Sequence, residues 1–236
     1  MKTMLVILVG LMGVCAHARE ERSDEDVRRI LIGSTEYCHA KTQEAQREYA
    51  LVCCGYDTNR LTRIMQDIVR SGDGVSSEAL RWIGEYGTTN NLPFLYGCLT
   101  NAALGANAAC SVLKIEGVTS NSVARIGEYL SLTNSPLSQR RNVGCDLICE
   151  AVRDSLAEDM RKFVAAKVVE YAKCEIACCR LVDQEIARAD PSYRFSKRRL
   201  SVLRSAYALG VSQYQIAYVT NAINELVAYP EADLPE

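Results

Sequence analysis

The chain has 236 residues, 48% of them hydrophobic and 24% charged, with a formal net charge of −2. Such a chain can bury a core without help from cross-links. Its interleaved charge excludes the broad positive field of a nucleic-acid binder.

Residues 1–18 read as a secretory signal: Lys2, an apolar run over 4–14, then Ala16-His17-Ala18 as a small-x-small cleavage site after Ala18. Cleavage there removes Cys15 and His17, leaving ten of the eleven cysteines and one histidine, His39. No later stretch reaches the 18 or more apolar residues of a membrane span. No Asn-x-Ser/Thr sequon occurs. The expected location is extracellular. Residues 19–29, REERSDEDVRR, are almost wholly charged and read as a disordered tail or as a propeptide released after Arg29.

From there the spacing of apolar residues by three and four predicts helices throughout, and the fold class is all-α. The first spans 34–54 and stops at Gly55. Asp57 or Thr58 caps a second, to Arg70. Ser76 or Ser77 opens a third that stops at Gly87. A fourth runs from Asn91, with Pro93 just inside, to Glu116; a fifth starts at Thr119 or Ser120. Ser135-Pro136 leads into the longest element, 145–189, which contains no Gly or Pro. A helix follows from Ser196 to Leu209. The last starts at Ser212, with Gln215 completing a capping box, and ends near Ala228. The domain plan is one helical body over 30–229 with a loose acidic tail, 230–236.

An internal match supports this reading. VSSEALRWIGEY at 75–86 aligns with VTSNSVARIGEY at 118–129, an offset of 43, and Asn91 and Pro93 match Asn134 and Pro136. A period near 40 suits helix-pair units, so a duplicated helical unit of about 43 residues is expected.

In an exported chain, an even cysteine count predicts a disulfide framework built from Cys38, Cys53, Cys54, Cys98, Cys110, Cys145, Cys149, Cys174, Cys178 and Cys179. Five precede Arg140-Arg141 and five follow, so full pairing needs at least one bridge across that point. If 150–173 is one helix, Cys149 and Cys174 lie about 37 Å apart along its axis, beyond the roughly 7 Å a bridge tolerates. The rival arrangement folds the segment back near 159–162 and staples two antiparallel helices through their CxxxC pairs. The unbroken helix is the favoured expectation. No metal site or cofactor is expected; Cys174, Cys178 and Cys179 with His39 would form a zinc set only if reduced.

Catalytic signals are sparse. Glu85, Glu128 and Glu170 recur beside Tyr86, Tyr129 and Tyr171, and paired carboxylates can hydrolyse glycosides without histidine. The simpler reading is a packing motif, with Ile and Tyr inward, Gly84 and Gly127 permitting close approach, and Glu outward. Ser-His-Asp or Cys-His chemistry would have to use His39 alone. Tyr207, Tyr214 and Tyr218, at spacings of seven and four, share a helical face if the break at Gly210 is small, as core or as a recognition surface. Dibasic sequences at Arg28-Arg29, Arg140-Arg141 and Lys197-Arg198-Arg199 are candidate processing points. The leading expectation is a secreted, non-enzymatic protein that binds an extracellular protein or receptor, in the manner of a toxin, pheromone or recognition factor. Alternatives are a carrier of small apolar ligands and a carboxylate-based glycoside hydrolase.

Overall fold

Helix α1, Asp24–Leu31, forms where sequence reasoning places a tail. Its apolar residues Val27, Ile30 and Leu31 sit at three-and-four spacing and are buried. The Ser23 hydroxyl accepts from the Asp26 amide, and Asp24, Glu25 and Asp26 fill the first turn, where the helix dipole favours acids. The computed structural model describes residues 21–33, 42–154, 156–210 and 212–235, excepting the side chains of Cys174, Tyr214 and Ala232. The signal-like segment with Ala18, and Cys38 and His39, lie outside the described residues. All regular structure among the described residues is helical, without strands.

The chain divides into two compact units, 1–91 and 92–236. In the first, α1 is followed by α2 (Gln43–Cys53), α3 (Thr58–Ser71) and α4 (Ser76–Tyr86). Asp57 caps α3 by accepting from the Asn59 and Arg60 amides, and Gly72, at φ +72°, closes it in the left-handed conformation that glycine adopts without strain. α1 packs on α2 and α3, and α3 packs on α4. The Gln46 side chain donates to the Ile30 and Leu31 carbonyls at the C-terminal end of α1. Arg28 reaches Asp73 at 2.8 Å.

The second unit contains α5 (Leu92–Leu99), α6 (Gly105–Glu116), α7 (Ser120–Leu130), α8 (Leu137–Arg153), α9 (Glu158–Ala177), α10 (Arg180–Ala189), α11 (Lys197–Ala208) and α12 (Gln213–Val227). The predicted helix 91–116 is therefore two helices. Asn101 breaks it, its side-chain oxygen accepting from the Ala103 and Leu104 amides and so offering the backbone a turn in place of a helix. Thr119 and Ser122 form a reciprocal capping box at α7. Ser212 does precede α12, but its hydroxyl makes no capping bond.

The favoured unbroken helix over 145–189 is not present. α8 ends at Arg153, α9 starts at Glu158, and the two pack side by side. A Cβ placed on Gly144 would touch Val168 at 3.7 Å and Ile176 at 4.0 Å, so α9 runs back along α8. Asp154, a weak helix former, follows the last residue of α8, and neither Gly nor Pro marks the turn. A second interruption falls at Lys173, whose φ of +54° is unusual for a residue with a side chain.

Two glycines permit ring-to-backbone contact. A Cβ on Gly105 would lie 2.3 Å from the Tyr129 ring, and one on Gly127 would lie 2.3 Å from the Tyr171 ring. The acidic segment 230–236 is not loose over its described part. Leu234 joins the buried cluster of Leu200, Leu203, Val219 and Leu226, and the Lys197 amide donates to the Pro235 carbonyl at 2.8 Å.

Candidate functional site

In the second unit, α10, α11 and α12 meet around a buried ion pair. Arg199 stands in the first turn of α11, fixed by Ser196, whose hydroxyl accepts from the Arg199 amide. Its guanidinium donates from Nε and Nη2 to the Asp183 carboxylate on α10, at 2.8 to 3.2 Å. The side chains are 7% and 1% exposed. Nη1 donates to the Arg194 carbonyl at 2.8 Å, and the Tyr218 hydroxyl on α12 donates to Asp183 Oδ2. Burial, then the bond to Asp183, pushes the Tyr218 hydroxyl well above the ordinary tyrosine range. A buried carboxylate with guanidinium and phenol donors is nearly saturated, so it acts as a fixed structural anchor rather than a free base. Removing either charge would leave the other uncompensated, at a cost of about 3–5 kcal/mol.

Above this anchor lie two adjoining clefts that share Gln184 and Tyr218. One, of about 400 Å³, is edged by Arg188, Arg194 and Glu225. The other, of about 500 Å³, is edged by Arg180, Leu181, Gln215, Ala217 and Asn221. Together they form a groove with α10 on one side and α12 on the other. Leu181 is 65% exposed at its rim. Arg194 approaches Glu225 at 3.5 Å and Arg188 approaches Glu185 at 3.0 Å, while both arginines stay largely exposed.

Comparison with protein-family models, with curated proteins and with solved structures finds no match.

The carboxylates singled out for glycoside hydrolysis are spread over separate helices, each in an ion pair. Glu85 on α4, in the first unit, pairs with Arg47; in the second unit, Glu128 on α7 pairs with Arg125 at 3.2 Å and Glu170 on α9 with Lys167 at 2.6 Å. None of the three lines the groove. Of the three tyrosines assigned to one face, Tyr218 turns into the groove while Tyr207 is exposed at the end of α11. Tyr214's side chain lies outside the described residues.

The cysteines distribute along the helices. Cys53 and Cys54 close α2; Cys98 lies on α5 and Cys110 on α6. Cys145 and Cys149 share a face of α8 with their sulfurs 3.9 Å apart. Cys178 and Cys179 precede α10, and Arg141 Nη1 lies 3.8 Å from the Cys179 sulfur. Among the described residues no two cysteine sulfurs lie at bonding distance. Nor do any three His, Cys, Asp or Glu side chains there converge on a metal position. No helix among them is long and apolar enough to cross a membrane.

The dibasic sequences lie within helices. Arg28 and Arg29 are inside α1, Arg140 is buried in α8, and Arg199 is the anchor described above. Sequence reasoning missed the Asp183–Arg199–Tyr218 group because its members are 16 and 19 positions apart on three helices. A usable signal was present. Asp183 lies next to Val182 in the stripe that includes Ile186 and Ala189, and Arg199 flanks Leu200 and Leu203, so each puts a charge on an apolar face.

Proposed function

We propose that this chain is a secreted, non-enzymatic recognition protein that binds another macromolecule through the groove between α10 and α12. The observation carrying this reading is that a rigid, internally satisfied polar anchor supports a recess rimmed by exposed apolar and amide side chains. The volumes of these recesses fall within the range of binding clefts, and the anchor has no unsatisfied acid or base to offer a reaction. The polar floor argues against the carrier of apolar ligands. The segment 1–18 and the even number of remaining cysteines support export.

The same reading includes a disulfide framework. The return of α9 along α8 removes the separation that kept Cys145 and Cys149 from the cysteines at 174–179, and α8 also packs on α10. We read one or more staples between α8 and the α9–α10 junction, each contributing about 2–4 kcal/mol. We also read the offset of 43 as a duplication. Leu80 and Ile83 in α4, and Val123 and Ile126 in α7, occupy equivalent buried positions.

A photo-crosslinking side chain at Ala217, in the groove, tests the assignment against one at Arg153, an exposed position on α8. Applied to the native material that receives the secretion, the Ala217 protein is expected to capture a discrete partner and the Arg153 protein none. Equal capture at both positions, or none at Ala217, overturns it.

A further inference from the structure

We infer that the groove takes an acidic protein segment, one that pairs carboxylates with arginines and sets an apolar residue against Leu181. This rests on the recognition reading above and names its chemistry. The charged residues lining the groove are Arg180, Arg188, Arg194, Arg199, Asp183 and Glu225. Four guanidinium groups face two carboxylates, a local excess of positive charge in a chain whose total is −2. Arg199 and Asp183 cancel within the anchor, and Glu225 offsets Arg194 across 3.5 Å. Arg180 and Arg188, two turns apart along α10, remain to meet incoming charge on the same side of the groove. Arg188 pairs within its own helix with Glu185, whose side chain is 15% exposed, while its own side chain is 64% exposed and open to an incoming carboxylate. Guanidinium favours carboxylate because its planar fork matches both oxygens.

The remaining lining specifies a polypeptide. Gln184, Gln215 and Asn221 offer paired donors and acceptors to a peptide backbone. Leu181 and Ala217 supply an apolar contact at the opposite end from Arg188 and Arg194. A recess between two helices receives a chain, whereas a bilayer surface would meet only its rim.

Fluorescence anisotropy of the full secreted protein with a fluorescein-labelled glutamate–leucine octapeptide, and with its lysine–leucine counterpart, tests this. The acidic peptide is expected to bind and the basic one not, with affinity falling as salt screens the charges. Arg180→Glu with Arg188→Glu is expected to weaken acidic-peptide binding at least tenfold and to admit the basic peptide. Leu181→Ser is expected to weaken binding without changing the salt dependence, and Arg153→Glu to leave it unchanged. The inference is overturned if both peptides bind alike, if neither binds, or if the double reversal changes nothing. It is equally overturned if phosphatidylserine vesicles are retained through Arg180 and Arg188 while the acidic peptide is not. Capture through Ala217 alongside failure of the acidic peptide would retain the groove as a recognition site and reject this chemistry alone.

Discussion

At the residue scale, two glycines in the second unit make opposite demands. Gly127 is in contact with the Tyr171 ring, and an added methyl would overlap it at 2.3 Å. Gly97, exposed on α5, has nothing within 4 Å of its would-be Cβ. Gly127→Ala should destabilise by about 1–3 kcal/mol through overpacking. Gly97→Ala should stabilise by about 0.5–1 kcal/mol by stiffening the unfolded chain and improving helix propensity. Denaturant midpoints of the two variants check both signs; a neutral Gly127→Ala would contradict the close approach. The IGEY match places Gly127 inside a helix, and the Glu-Tyr recurrence marks Tyr171, but nothing local pairs the two across the 44 residues that separate them.

At the element scale, α5, α6 and α7 are joined by a polar network. The Tyr96 hydroxyl donates to Glu116, which also accepts from Asn121 at 3.1 Å and Thr119 at 2.8 Å. Burial alone would raise the Glu116 carboxyl, yet these donors outweigh it and hold it below its ordinary 4.5. Burial, then the Glu116 bond, pushes Tyr96 up to about 12. A depressed carboxyl contributes stability above its unfolded value and loses it as pH falls through the folded one. A raised phenol contributes below 10 and loses it as pH climbs toward 12. The network should therefore stabilise the second unit fully at neutral pH and weaken on both sides. Urea midpoints measured below 4.5, at neutrality and above 10 should show this, with Tyr96→Phe flattening the alkaline limb. An unchanged alkaline limb in that variant would remove Tyr96 from the account.

Element boundaries set by local chemistry were legible in the sequence. Asp57, Thr119 and Ser196 cap the helices they were expected near or beside, and Gly55, Gly72, Gly117 and Gly210 all hold positive φ at stops. The turn after Arg153 was not legible, because no Gly or Pro marks it and only packing of α9 against α8 decides it. The groove was unreadable for the same reason: its walls come from helices far apart in the chain.

At the scale of the whole molecule, burial governs thiol chemistry. It pushes the Cys54 thiol up to about 11 and, with help from Cys149, the Cys145 thiol up to about 12. Against an ordinary 9.0, each is a poor source of thiolate, the species that exchanges disulfides. In the reduced, folded chain, iodoacetamide should modify Cys54 about a hundredfold and Cys145 about a thousandfold more slowly than in the unfolded chain at the same pH. Timed alkylation with peptide mass spectrometry measures this, and matching rates would refute it. Any bridge at these positions must then form before the surrounding helices close over the sulfurs.

The first helix has a consequence of its own for maturation. Val27 is wholly enclosed and Arg28 is tied to Asp73, so a protease that severed the chain after Arg29 would not be trimming a loose end. It would pull a plug from the first unit, leaving a hole where valine sat and an aspartate stripped of its counter-ion. Such a cut would work as a fuse: intact, the unit keeps its shape; severed, it is set on course to come apart.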